Sequence, residues 1–470
     1  MKVLLINPPS DNELVGNNPP IIEEERGYNP PLGLLYIAAH LEKFSSHEVS
    51  VIDAQVDELD YPKLKKIIAT ESPDVVGITA MTFTLIDVIK TAELVKEVNP
   101  EIRVVLGGPH VHLYPDETIA LPSVDYLVLG EGEIPFHDLM EHIDQQDKLT
   151  GITGLVFRHN GNVVNTGVRG LRDNLDEIPF PARHLTPYKK YTSLMAKRNP
   201  ITTMFTSRGC PYKCIFCDRP HLGKLFRARS AGNVVDELEE CVDLGIREFL
   251  IYDDTFTIQR KRVVAICEEI LKRGLDIGWD VRARVNTVDE DLARLMKKAG
   301  CERIHYGVEA GTNRMLKVLQ KGITVEEAHH AFRFTKKAGI ATLAYFIIGS
   351  PTETYEDIKA TMKLARDLNP DYVHITIMTP FPGTALYIQG LEEGVIERDF
   401  WREFAANPAP DFKPPYWEEN FTRDELLKMI DEAYHNFYIR PIYIMKRVMQ
   451  VRSWGQFKRH ARAGLKVLKL

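Results

Sequence analysis

The 470-residue chain reads as an α/β protein made of two successive parallel-sheet units and a helical C-terminal region. Three observations predict this. Short apolar runs alternate with segments that carry apolar residues at helical spacing, which implies parallel sheets covered on both faces. The alternation lapses between about 146 and 199, then resumes. Past about 395 it gives way to a proline-broken, aromatic, helical pattern. The length also exceeds what one hydrophobic core usually serves.

In residues 1–145, KVLLIN, EVSVID, VVGITA, RVVLGG and YLVLGE read as buried strands, and PLGLLYIAAHLEKF and IDVIKTAELVKEV as helices between them. That is the pattern of a Rossmann-like, doubly wound domain. In residues 146–199, taken as a linker, LVFRHNGNVVNT sets Asn160-Gly161 between two β-prone runs and so predicts a hairpin; DEIPFPARH reads as a connector. From 200 to 395, ITTMFTSRG, EFLIYDD, GWDVRARVN, RIHYGVEAG, TLAYFIIGS and YVHITIMTPF give six βα units of about 30 to 35 residues. They predict a partial (β/α)6 TIM-like barrel, in which chemistry sits at the C-terminal strand ends. Residues 396–470 complete the chain as a helical region with a basic tail.

Composition narrows the function. With 44% hydrophobic and 27% charged residues the chain is that of an ordinary globular protein. The opening apolar run breaks at Asn7 and Pro8, too early for a signal peptide, and nothing later offers about 18 uninterrupted apolar residues, so a cytoplasmic location is expected. A net charge of −7 argues against a nucleic-acid partner. The tail from Arg440 to Leu470 contains no acid, however, and interleaves Ile442, Ile444, Val448, Met449 and Trp454 with its cations. It reads either as an ordinary terminal helix or as a peripheral contact with an anionic membrane, and the second would suit a lipid-like substrate.

Of six cysteines, Cys210, Cys214 and Cys217 crowd into TSRGCPYKCIFCDRP, while Cys241, Cys267 and Cys301 stand alone. This is metal-ligand usage rather than a disulfide framework. Zinc wants four ligands and His221 is at hand; a four-iron cluster also wants four, and three thiolates leave one iron open. The C-x3-C-x2-C spacing, with Phe216 before the third cysteine, resembles the radical S-adenosylmethionine (SAM) enzymes. The resemblance implies a [4Fe-4S] cluster on the three cysteines, whose open iron chelates SAM and whose electron cleaves it to a 5′-deoxyadenosyl radical. It covers about 200 to 395. It also implies cosubstrate contacts at Asp253 and Asp254 in LIYDDTF, Arg284 in VRARVN, Glu309 in YGVEAGT, and Gly349 and Pro351 in FIIGSPTET. Each acid could instead cap a helix.

No G-x-G-x-x-G follows the first strand, so dinucleotide binding is not indicated. Residues 1–145 resemble instead the cobalamin-binding domain fused to many radical SAM enzymes. The matching residues are Asn7, Pro8, Thr79, Gly107, Gly108, Pro109, Gly130, Glu131 and Gly132, in NPP, GITAMT, GGPHVHLYPDE and GEGE. Glycines at strand ends let backbone approach a bulky cofactor. The D-x-H-x-x-G motif that supplies a lower histidine is missing after the first strand, so the resemblance implies cobalamin without such a ligand; His110 and His112 are alternative ligands in the later loop.

Together the resemblances imply a cobalamin-dependent radical SAM enzyme, a methyltransferase acting on an unactivated carbon of a small or lipid-like metabolite. An electron donor such as flavodoxin or ferredoxin is implied with it. Ring formation, rearrangement or carbon–carbon coupling without methylation is the alternative. A zinc-bound small-molecule sensor is the alternative of another class. A methylthiotransferase acting on tRNA is disfavoured, because residues 1–145 contain no cysteine for a second cluster.

Overall fold

The computed structural model describes residues 1–14, 27–193, 195–217, 223–441 and 443–445. Its first sheet has seven strands in the order β2-β1-β3-β4-β5-β6-β7: β1 (Lys2–Asn7), β2 (Glu48–Asp53), β3 (Val75–Thr79), β4 (Arg103–Gly107), β5 (Tyr126–Val128), β6 (Leu155–His159) and β7 (Asn162–Asn165). The first five are parallel; β6 and β7 add antiparallel at one edge. Order reverses at β1, whose neighbours are β2 and β3. Such a switch point opens a crevice at the C-terminal strand ends. Val3, Leu4, Leu5 and Ile6 are all buried, as a central strand covered by helices on both faces requires.

The predicted hairpin turns at Asn160 and Gly161, both at positive φ (50° and 79°), which is the two-residue turn that Asn-Gly favours. Its strands extend the first sheet instead of standing apart in the connector.

The second sheet has six parallel strands in the order β15-β14-β13-β12-β11-β8: β8 (Ile201–Met204), β11 (Glu248–Ile251), β12 (Gly278–Ala283), β13 (Cys301–Glu309), β14 (Ala341–Ile348) and β15 (Tyr372–Ile377). It is a partial barrel with β8 and β15 at its edges. A two-residue antiparallel ladder, β9 (Ser207–Arg208) with β10 (Arg227–Ala228), closes the cysteine loop at its base. The intervening helices are started by polar caps, among them Ser230, Asp289, Thr324 and Thr354, each accepting from the backbone N–H three residues on.

The C-terminal region joins both units. Trp401, Phe404 and Ala405 pack into the first domain's core, and the helix Arg423–Tyr438 covers β15. There the Tyr434 and Tyr438 hydroxyls each accept from an edge N–H and donate to the same residue's carbonyl, at Ile375 and Val373. An exposed edge is thereby closed to other strands. The basic tail from residue 446 lies outside the described residues. No helix among those described is long and apolar enough to cross a membrane.

Candidate active site

Because the six barrel strands are parallel, the segments after them share one rim. The cysteine loop follows β8 and β9, Asp253 and Asp254 follow β11, Arg284 follows β12, Glu309 ends β13, and Gly349 and Pro351 follow β14. Gly209 enters the loop at φ 78°, and a Cβ there would fall 2.2 Å from the Leu225 carbonyl oxygen, so the turn requires glycine. Cys210 is buried, its Sγ 4.0 Å from Thr255 Oγ1; Cys214 and Cys217 are half-buried. The backbone N–H of Ile215 donates to the Leu319 carbonyl, and that of Leu386 donates to the Ile215 carbonyl, which ties the loop to the rim.

Around this loop the carried-over residues divide by what they touch. Asp253 is fully buried: its oxygens accept from the backbone N–H groups of Thr206 and Ser207 at 2.6 and 3.0 Å and from their hydroxyls at 2.5 and 2.6 Å. It shapes the approach to the cysteines and has no oxygen left over for a cosubstrate. Asp254 is exposed at the rim. The Arg284 guanidinium lies 3.6 Å from the centre of the Tyr212 ring and points Nη1 at Cys214 Sγ, 3.8 Å away. Glu309, at φ 71°, accepts from Lys321 Nζ at 2.7 Å, and Lys321 faces the Phe216 ring. Gly349, at φ 76°, packs against Leu426.

A second concavity opens at the C-terminal strand ends of the first sheet. It is a cavity of about 200 Å³ lined mainly by apolar side chains and by Thr79, Gly107, Gly108, Pro109, Gly130, Glu131 and Gly132. Its far wall is Phe205 and Arg208, contributed by the barrel. Arg208 stands two residues before Cys210. It donates to Glu131 at 2.9 Å and Glu133 at 2.5 Å, while Arg227 donates to the other Glu131 oxygen at 2.9 Å. Burial raises the Glu131 pKa, but the hydrogen bond from Arg227 and the charge of Arg208 outweigh it and hold the carboxyl below its ordinary value. Asn7 and Pro8 do not line the cavity: Asn7 donates to Asp53, and the Pro8 carbonyl accepts from Gln55.

The sequence matches profiles of two families, the Radical SAM superfamily over residues 204–365 and the B12 binding domain over residues 20–140. It is 37% identical to an uncharacterised methyltransferase of Pyrococcus horikoshii, over 96% of this chain and 95% of that one. It is 33% identical to the anaerobic magnesium-protoporphyrin IX monomethyl ester cyclase of Rubrivivax gelatinosus, over 90% and 76%. The chain belongs to the cobalamin-binding radical SAM enzymes. Its fold is shared with two solved members. OxsB, with aqua-cobalamin and SAM bound, superposes at TM-score 0.75 and 18% identity, covering 99% of this chain and 72% of that one. The methyltransferase TsrM from Kitasatospora setae, with cobalamin and a [4Fe-4S] cluster bound, superposes at 0.68 and 21%, covering 84% and 78%.

The residues present fit the cofactors of a cobalamin-binding radical SAM enzyme. Three cysteine sulfurs on one short loop, one beside a guanidinium, are the donor set of a cluster with an open iron. Among the described residues no three His, Cys, Asp or Glu side chains converge on a single metal ion; a cluster sets a different requirement, one thiolate per iron. In the first domain, a Cβ on Gly33 would meet nothing within 4 Å and one on Gly107 only the Val128 carbonyl at 3.9 Å, so side chains there would take the cavity's space. Gly108 is glycine for a different reason: at φ 103° its Cβ would fall 2.7 Å from the Ala80 carbonyl oxygen. Among the described residues no histidine lines the cavity. His110 is fully buried with Nδ1 3.1 Å from Thr82 Oγ1, and desolvation lowers its pKa to about 3, so it is a neutral core residue.

Sequence reasoning passed over Lys321, Arg208 and Glu353. Glu353, four residues after Gly349, is buried; Oε2 accepts from the Ser350 N–H at 2.9 Å, Oε1 has no partner among the described residues, and burial raises its pKa to about 7. An acid three residues beyond a strand-end serine is a weak signal in sequence, and only burial makes it conspicuous.

Proposed function

We propose that the chain is a SAM-dependent methyltransferase acting on carbon, with Cys210, Cys214 and Cys217 holding the cluster and the Thr79–Gly107–Gly130 cavity holding cobalamin without a histidine ligand. When bound, the cluster supplies the electron that cleaves SAM, and the cobalamin carries the methyl group to be transferred. What the chain's own residues do is position and exclude. Arg284 and Lys321 place positive charge beside the cysteine loop, and Asp253 fixes that loop's approach. A flavodoxin or ferredoxin would deliver the electron.

The observation that carries this reading is the shared wall. Arg208 lines the proposed cobalamin cavity and stands two residues before Cys210, so the barrel segment that leads into the cysteine loop also walls that cavity. A domain retained as mere scaffold has no need of that apposition.

The test is product analysis of protein made anaerobically with cobalamin and a reconstituted cluster. Reductant and SAM should yield both 5′-deoxyadenosine and S-adenosylhomocysteine, and Cys214→Ala should abolish the first while losing iron. 5′-Deoxyadenosine alone, from protein loaded with cobalamin, would favour ring formation or coupling, the chemistry named for the Rubrivivax relative. Zinc in place of iron and sulfide would end the radical reading.

A further inference from the structure

The inner face of the barrel is incompletely buried. In β12, β13, β14 and β15 the residues facing the helices, such as Val281, Ile304, Phe346 and Val373, are buried, whereas Arg282, His305, Tyr345 and His374 on the alternate face are half-exposed. A filled barrel would bury both faces. Water reaches this lumen.

Within it, Arg282 has no hydrogen bond or ion pair with any described residue. Its guanidinium lies over the Tyr252 ring, 4.0 Å from the centre, a contact with the ring face that leaves its N–H groups unused. The nearest acid along the strand, Asp280, is already paired with Arg303. The neighbouring imidazole adds a second donor. Arg303 Nε can only donate, and it does so to His305 Nε2 at 3.0 Å. Asp280 Oδ2 lies farther from Nε2, at 3.5 Å; with Nε2 accepting from the nearer Arg303, the His305 proton is on Nδ1, 3.1 Å from the Tyr345 oxygen, and the Tyr345 hydroxyl proton has no acceptor among the described residues. One unpaired guanidinium and one unspent hydroxyl, on the strands either side of His305, thus face one solvent-reached chamber.

We propose that Arg282 and Tyr345 form an anion subsite that holds a carboxylate or phosphate of the substrate inside the barrel. The inference rests on the reading of this barrel as the reaction chamber. Arg284, two residues nearer the rim and so roughly 7 Å along the strand, serves the cysteine loop; Arg282 lies deeper, where a substrate would anchor. An enzyme with this subsite acts on an anionic molecule whose reacting carbon lies away from its charged end.

The test is an NMR titration of full-length, cluster-loaded protein with benzoate, phenyl phosphate and the neutral isostere benzamide. Wild type should prefer at least one anion to benzamide by about tenfold or more, the margin of a charge-assisted contact. The arm that binds better distinguishes carboxylate from phosphate. Arg282→Met should abolish the preference, Arg282→Lys should keep part of it, and Tyr345→Phe should weaken it about threefold, all with SAM affinity within about twofold of wild type. The proposal is overturned if wild type shows no preference for either anion, including by binding none of the probes, or if the preference survives Arg282→Met. It is equally overturned if Arg282→Met weakens SAM as much as benzoate, because the guanidinium would then serve the cosubstrate. Since binding is read without turnover, loss of the methyl-transfer reading would leave this result standing.

Discussion

Adjacent residues of the same type do different work at the rim. Asp253 and Asp254 are equivalent to any pattern, yet one spends both oxygens on the Thr206-Ser207 backbone and hydroxyls and the other is exposed. Gly107 and Gly108 divide similarly, one leaving room for a ligand and the other meeting a backbone constraint. Glu353 gives this scale its prediction. Its folded pKa, about 7, lies above the unfolded value, so between about pH 4.5 and 7 the unfolded state releases a proton that the folded state retains. Stability must therefore fall as pH rises through that window and level off above it, by on the order of 3 kcal/mol. Glu353→Gln should remove this part of the slope, and denaturant titrations at pH 5 and pH 8 would show it. An unchanged slope would mean that the carboxylate ionises normally. The three cysteines, by contrast, were legible in the sequence, because their chemistry depends on spacing within one loop and not on what the rest of the chain brings to them.

At the scale of elements, the strands were readable because each is a short buried apolar run, and the Asn160-Gly161 hairpin because its turn demands positive φ. Where the hairpin docks was not readable: pairing with β5 rather than standing free is decided by an open sheet edge elsewhere in the chain. The far edge of the barrel shows the same dependence. Tyr434 and Tyr438 look like ordinary helix aromatics in sequence, and only the docked helix reveals that their hydroxyls serve the β15 backbone. Tyr434→Phe should leave the N–H and C=O of Ile375 without partners and cost about 1–3 kcal/mol. Hydrogen exchange should accelerate in β15 and spare β12; unchanged β15 protection would show that the edge is sealed by packing alone.

For the whole molecule, the consequential contact is between the two sheets. Glu131 was expected at the cofactor, and it does line the cavity, but its oxygens are committed to Arg208 and Arg227, so it also fastens one domain to the other. Glu131→Ala would leave those buried guanidinium groups without that counter-charge, and breaking such a pair typically costs about 3–5 kcal/mol. Calorimetry should then show the unfolding separating toward two transitions, with weaker cobalamin retention. Acid should act in the same direction: the folded pKa of Glu131 is depressed, so its contribution is complete above the ordinary glutamate range and is lost as pH falls through the folded value. A single unshifted transition in Glu131→Ala would show that apolar contacts alone join the domains.

The sequence by itself determined the order of strands and helices, the three cysteines of one short loop, the glycines at the first domain's strand ends and the family, because these depend on local periodicity and on residues close together in the chain. The tertiary structure alone decided which acid is spent on backbone, which arginine stands unpaired in the lumen, and which barrel side chain walls the first domain's cavity. Those properties belong to pairs of groups tens to hundreds of residues apart, and whether a charge is satisfied, buried or open to a ligand is fixed only when its neighbours have been brought to it.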